Sequence, residues 1–262
     1  MRPVSEPSDP RAIDQADHPE RVWYFMRALG RCGLPGSFEI DGVTYRLTRS
    51  VKHDFFAATG FYADDAGRKA VLKMGRTACF LKLPMKWVGR FLCRREMRFY
   101  RKLQDLPGIP RLLGLVGDTG FVHEYVEGRP LAKERPVPDG FFDRLEELLV
   151  ELHRRGIAYV DTNKPENILL GDDGQPHLID FQISWDSPFF LPRMQREDFY
   201  HILKHKKRLR PDELTEEELK RVNDKSWLIR LHRTVTRPYF LVRRRMFRRL
   251  RETGRLLPEG SK

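Results

Sequence analysis

Residues 157–185, IAYVDTNKPENILLGDDGQPHLIDFQISW, constrain this chain more than any other stretch. Two apolar runs with strand character, 168–170 and 177–181, flank the turn Gly171-Asp172-Asp173-Gly174, a composition that reverses a chain sharply between strands. Asp161 precedes the first run, Asp180 sits within the second, and Asn167 lies between them. Two carboxylates and a carboxamide on one hairpin are oxygen donors suited to a hard cation. The same groups can position a hydroxyl for phosphoryl transfer. An ordinary surface hairpin would account for the turn. It would not account for Asp180 inside Leu178-Ile179-Asp180-Phe181, where an unpaired carboxylate is costly.

The remaining sequence supplies the setting. At 262 residues the chain has room for one large domain or two modest lobes. Its three cysteines, Cys32, Cys79 and Cys93, follow no metal-ligand spacing and suggest no disulfide framework, which fits a reducing compartment. No stretch has the length of a membrane-spanning helix, and the first residues lack the apolar core of a secretory signal. A cytoplasmic protein is therefore expected. The net charge of +12 suits anionic partners: nucleotides, lipid headgroups or nucleic acid. Much of that charge falls in residues 82–102 and 237–255.

Along the chain, residues 1–17 are polar and proline-rich, as expected of a flexible tail. Pro19 can open a short helix whose apolar face is Val22, Phe25, Met26 and Leu29, with Gly30 as its stop. Residues 43–51, 55–62 and 70–74 have strand composition, and Asp64-Asp65-Ala66-Gly67 is the turn between the last two. A helix follows over 84–103. Its buried stripe, Val88, Leu92, Glu96, Phe99 and Leu103, contains a carboxylate that needs a cationic partner. Lys73, in an apolar strand, is the nearest candidate, although a lysine there ordinarily faces solvent. Trp87 and Phe91 lie on a second face of that helix, and core packing is their ordinary explanation. Residues 112–116 and 120–126 read as further strands, and Glu127-Gly128-Arg129-Pro130 as a break. Beyond it, 141–155 is a strongly amphipathic helix, 196–205 another, and Thr215-Glu216-Glu217-Glu218 matches a capping box. The arginine-rich helix 239–255 suits an anionic membrane surface, or docks on the domain with its arginines in solvent.

Lys73, Glu96, the Glu-Tyr-Val-Glu-Gly run at 124–128, Asp161, Asn167 and Asp180 occur in the order found in protein kinases, and the chain resembles that superfamily from about residue 43 to 205. The resemblance implies an α+β, bilobal protein-kinase-like fold with an antiparallel-sheet N-lobe and a reduced helical C-lobe. It divides the chain into a tail (1–17), an N-lobe with a preceding helix (18–126), a C-lobe (127–236) and a basic C-terminal segment (237–262). It implies that Lys73 holds the α- and β-phosphates of ATP, with Glu96 as its partner. Glu124 and Val126 would meet adenine through their backbone. Asp161 would orient the acceptor hydroxyl, Lys164 would reach the transferred phosphate, and Asn167 and Asp180 would bind Mg²⁺. Asp198 would correspond to an aspartate that braces the catalytic loop, or else form a salt bridge at a helix start.

The sequence departs from the family at four places. Residues 50–57, where a glycine-rich phosphate loop belongs, contain no glycine, and Lys52 is the candidate to supply charge there. Tyr159-Val160-Asp161 replaces His-Arg-Asp. Asp161 and Asn167 stand six positions apart, one more than usual. Gln182 replaces the glycine after Asp180-Phe181. The short region after Asp180, without an Ala-Pro-Glu motif, looks like the bacterial kinases of lipopolysaccharide-core sugars. The implied function is ATP- and Mg²⁺-dependent phosphorylation of a hydroxyl on a glycolipid, sugar or protein, with peripheral contact at the inner membrane face. A nucleotide-binding pseudokinase scaffold is the alternative. Nucleic acid is not an expected partner, because it would explain the arginines and none of the ordered acids.

Overall fold

The computed structural model describes residues 24–80, 83–132 and 136–223. The expected tail 1–17 and basic helix 239–255 lie outside these. The chain divides into two compact units. Of the described residues, those from 24 to 94 and Leu112–Tyr125 belong to one, and Arg95–Arg111 with those from 126 to 223 to the other.

The first unit is built on an antiparallel sheet. Its strands are β1 (Ser37–Ile40), β2 (Val43–His53), β3 (Ala57–Ala63), β4 (Lys69–Gly75), β5 (Leu112–Val116) and β6 (Gly120–Glu124), in the order β1-β2-β3-β4-β6-β5. β1 was not among the strands expected. Asp41 and Gly42, with φ of 50° and 77°, form a two-residue loop that pairs Ile40 with Val43. An Asp-Gly pair between apolar residues is the sequence signal for that hairpin. Leu29, Leu34, Phe38, Tyr45, Tyr62, Leu72 and Val122 make the core. Tyr62 is fully buried, and its hydroxyl donates to the Pro35 carbonyl at 2.7 Å, which satisfies its polar end.

β3 starts later than expected, because Phe55 and Phe56 belong to the turn before it. The Asp54 carboxylate accepts the N–H groups of Phe56 and Ala57 at 2.8 and 2.9 Å and closes that turn. Arg76, fully buried, donates to the Phe55 carbonyl at 2.8 Å and lies 4.0 Å from the Phe55 ring centroid. Helix α1 (Lys86–Leu103) approaches the end of β4 through Gly89, where a Cβ would fall 2.1 Å from the Arg76 carbonyl oxygen. Trp87 and Phe91 are 67% and 60% exposed, so they are not core residues. The buried positions Gly89 and Cys93 lie about 200° around the helix from them, on the opposite side.

The second unit contains the C-terminal half of α1 and most of the helices. α2 (Phe141–Arg154) buries Phe142, Leu145, Leu148, Leu149 and Leu152, the face its periodicity predicts. It ends in a Schellman motif: Gly156 N–H donates to the His153 carbonyl and Ile157 N–H to the Leu152 carbonyl, with Gly156 at φ 71°. The hairpin of β8 (Ile168–Gly171) and β9 (Pro176–Leu178) forms on the predicted turn, but its second strand is shorter than expected. The expected break at 127–130 is instead a third strand, β7 (Gly128–Pro130), paired with β8. Gly128 permits this: a Cβ there would lie 2.4 Å from the Leu170 carbonyl oxygen. α3 (Leu191–Leu209) extends beyond the predicted 196–205 at both ends. α4 (Glu216–Asn223) starts on the predicted capping box, with Thr215 N–H donating to Glu218 and Glu218 N–H to the Thr215 hydroxyl at 2.8 and 3.2 Å. Among the described residues no helix is long and apolar enough to cross a membrane. The result is a mixed α+β architecture with an antiparallel sheet and a helical second unit.

Candidate active site

Asp161 follows Val160, whose φ is 71°. A β-branched residue resists that conformation and holds it only under constraint. Asp198, in the middle of α3 and fully buried, supplies the constraint. Its carboxylate accepts the N–H groups of Tyr159 and Val160, both at 2.8 Å, and the Thr162 hydroxyl at 3.2 Å. His153 Nε2 lies 3.1 Å from the same carboxylate. Asp198 therefore braces the loop and does not sit at a helix start. His205, one turn from the end of α3, meets the Thr162 carbonyl through Nε2 at 2.9 Å.

After Asp161 the chain makes two successive 3-10 turns, Asp161–Asn163 and Pro165–Asn167. These absorb the extra residue between Asp161 and Asn167. They also bring three predicted groups together. Asp161 Oδ2 accepts from Lys164 Nζ at 2.6 Å and from Asn167 Nδ2 at 2.7 Å. With Nδ2 committed, the side-chain oxygen Oδ1 of Asn167 is the atom that can meet a cation. Asp161 is buried, and burial pushes its carboxyl above the ordinary aspartate range. The Asp180 charge adds to that rise, while Lys164 and Asn167 oppose it.

Asp180 lies beyond the end of β9 with φ 65°, outside regular structure. Its N–H donates to the Tyr100 hydroxyl at 3.2 Å. Phe181, fully buried, packs edge-on against both Tyr100 and Tyr159, with centroids 5.0 and 5.2 Å away. The Tyr159 hydroxyl donates to the Ile179 carbonyl. Ile179 N–H donates to the Asn167 carbonyl at 3.1 Å, tying the two candidate metal ligands' segments together. Burial raises the pKa of both phenols, so each hydroxyl keeps its proton.

The remaining predicted residues are placed as follows. Lys73 is half-buried in the middle of β4, opposite Thr59 and Phe121. Glu96 is 2% exposed on α1 and belongs to the other unit. Lys52 is on β2 with an exposed side chain, paired with Asp54 at 2.8 Å. Glu124 ends β6, and its carbonyl oxygen lies 2.8 Å from His123 Nδ1. Val126 is half-buried just beyond it. Sequence reasoning missed Tyr100 and Arg95, neither of which carried any signal beyond its place in a helix. It named Tyr159 only as a departure.

Among the described residues no group of three or more His, Cys, Asp or Glu side chains could hold a metal ion. The expected set is smaller, one carboxylate and one carboxamide. Both donors are oxygen, and a Mg²⁺ site that shares its ion with phosphates and water needs no more from the protein. The residues present fit the ion.

No protein-family model matches the chain. Among curated proteins, it is 35% identical over 126 residues to Serine/threonine-protein kinase UCN of Arabidopsis thaliana, covering 42% of this chain and 30% of that protein. Among solved structures, it is similar to the Rio2 kinase of Chaetomium thermophilum in its ADP/Mg²⁺-phosphoaspartate complex, with a TM-score of 0.51 and 17% identity over 72% of this chain and 63% of that one. A second structure of that kinase gives the same TM-score and identity, over 71% and 63% of the two chains. The chain thus spans less than two thirds of the length of these relatives. It has a protein-kinase-like fold.

Proposed function

We propose that the chain is a kinase that moves the γ-phosphoryl group of ATP to a hydroxyl. The observation that carries this reading is the cluster in which exposed Lys164 and buried Asn167 converge on one oxygen of buried Asp161. Asp161 takes the role of orienting the acceptor hydroxyl and receiving its proton as the new P–O bond forms and the bond to ADP breaks. Its raised pKa suits a group that must accept a proton. Lys164 offers positive charge to the group in flight. Asn167 and Asp180 are assigned to Mg²⁺, which when bound neutralises charge on the phosphates. Lys73, with Glu96 as its carboxylate, and Lys52 are assigned to the phosphates, and the backbone of Glu124 and Val126 to adenine.

The named activity of the Arabidopsis relative supports a serine or threonine hydroxyl on a protein as acceptor. A glycolipid or sugar acceptor, as in kinases of the lipopolysaccharide-core type, draws its support from exposed Trp87 and Phe91 beside Lys86, Arg90 and Arg94. Those side chains also suit peripheral contact with an anionic membrane. Phosphate transfer from γ-labelled ATP to separated protein, lipid and carbohydrate fractions distinguishes the acceptors. The Asp180→Ala protein is expected to transfer nothing measurable, and retained transfer would overturn the assignment.

A nucleotide-binding scaffold without catalysis is the second reading, favoured by Gln182, which stands after Asp180-Phe181 where kinases carry glycine. Nucleotide binding with no transfer to any fraction would establish that reading.

A further inference from the structure

Three cations on one side of α1 hold the segment that follows Asp180. Arg95, Arg98 and Lys102 recur at spacings of three and four, which stacks them along one helix face. The Arg95 guanidinium donates from one nitrogen to the Gln182 carbonyl and from the other to the Ser184 carbonyl. Arg98 and Lys102 both reach the Asp186 carboxylate, at 2.7 and 2.9 Å, and that carboxylate is only 18% exposed. On the same helix, the Tyr100 hydroxyl receives the Asp180 N–H.

This segment needs an external hold. Asp180 has φ 65°, a left-handed conformation that is strained for any residue but glycine. Residues 180–184 lie in no strand or helix, and the main-chain pairing of Trp185 with Ala158 comes only afterwards. A guanidinium can serve two carbonyls at once because its donors form a planar fork, whereas a lysine offers a single nitrogen. Resting on the reading of Asp180 as a cation ligand, we propose that Arg95 is a positioning residue for Asp180, with Asp186 anchoring the far end of the same segment. Arg95 touches neither nucleotide nor ion in this role. It fixes the two carbonyls downstream, and the backbone between them and Tyr100 then holds the Asp180 carboxylate in one place.

Two measurements on the full chain test this. Amide hydrogen exchange of residues 180–186 reads the segment itself, and electron paramagnetic resonance with Mn²⁺ in the presence of ADP reads the ion. In Arg95→Lys, exchange over 180–186 speeds at least about tenfold while β8 and β9 keep their protection, and Mn²⁺ affinity falls about tenfold, the usual size for loss of a group supporting a metal ligand. ADP affinity without metal stays within about twofold, below the tenfold range typical of such a loss. Asp186→Asn gives the same pattern at smaller size, and it decides the question if Arg95→Lys fails to fold. Unchanged exchange over 180–186, or faster exchange with unchanged Mn²⁺ affinity, overturns the proposal. A parent chain that binds no Mn²⁺ with ADP overturns the ligand reading of Asp180 instead, and the positioning role falls with it.

Discussion

The Asp198 carboxylate accepts the backbone N–H of Val160 at 2.8 Å, and Val160 is the strained residue that turns the chain into Asp161. The same carboxylate takes the Tyr159 N–H. The Tyr159 bond is buried and the Val160 bond partly so, and removing their acceptor costs about 1–3 kcal/mol for each donor left buried. Asp198→Ala is expected to lower the unfolding free energy by about 2–5 kcal/mol in a urea titration. If the protein is a kinase, transfer falls roughly hundredfold as well, because Asp161 loses its orientation. Asp198→Asn keeps one acceptor oxygen and recovers part of the stability. A stability change under about 0.5 kcal/mol, the range of an ordinary surface substitution, would count against the brace.

Asp161 gives a pH-dependent expectation. Burial, helped by the Asp180 charge, raises its carboxyl above the ordinary value of 3.8, against the pull of Lys164 and Asn167. The folded state therefore tolerates the carboxylate less well than the unfolded chain does. A group raised in this way contributes its full stability below the unfolded value and loses it as pH rises through the folded one. Asp161→Asn removes that loss. Its Tm is expected to exceed the parent's at pH 7, with the gap closing as pH falls toward 3.8. Calorimetry across that range checks it. A variant no more stable than its parent at neutral pH would show that the Lys164 and Asn167 bonds outweigh burial. Gain of stability with loss of transfer is the pattern expected when a site is tuned for chemistry.

Local features were legible in the sequence and tertiary ones were not. The turn Asp172-Asp173-Gly174 and the apolar runs beside it were readable because turn chemistry and strand periodicity are local. So was the buried face of α2. The conformations of Val160 and Asp180 were not, since nothing about a valine announces a positive φ. Arg95 was hidden for a related reason: its partners are main-chain carbonyls, which every residue possesses. Trp87 and Phe91 misled because apolar character alone does not say which face of a helix is inside. β7 is three residues long and contains a glycine and a proline, so its pairing with β8 has no propensity behind it. It exists because the tertiary fold brings the two backbones together.

Gly128 is where that backbone approach can be tested. An added Cβ would lie 2.4 Å from the Leu170 carbonyl oxygen and 2.7 Å from the Gly171 Cα, both backbone atoms. Neither can swing aside as a side chain would. Gly128→Ala must therefore push β7 off β8. The expected cost is about 2–3 kcal/mol, comparable to other overpacked sites. Exchange of the β7 and β8 amide hydrogens should speed, while α2 keeps its protection. Unchanged exchange across the β7–β8 pair would show that the added Cβ is accommodated without parting the strands.

The turn between β2 and β3 supplies the last expectation. Asp54 Oδ1 accepts two N–H groups, and Asp54 N–H donates to the Ala57 carbonyl at 3.0 Å, so one residue closes the turn from both its side chain and its backbone. Burial works against the Asp54 charge, but Lys52 and the two N–H groups outweigh it and hold the carboxyl below its usual range. A lowered carboxyl contributes stability above the unfolded value of 3.8 that is lost as pH falls through the folded one. Asp54→Ala is expected to cost about 1 kcal/mol at pH 7, the size of a lost capping side chain, and nothing at the acid end. The substitution also releases the Phe56 and Ala57 N–H groups, the donors a phosphate would need in this turn. If the turn serves as the phosphate loop, the Asp54→Ala chain binds ATP more tightly than its parent, read by titration calorimetry. Unchanged affinity would remove the turn from the nucleotide site and leave the phosphates to Lys73.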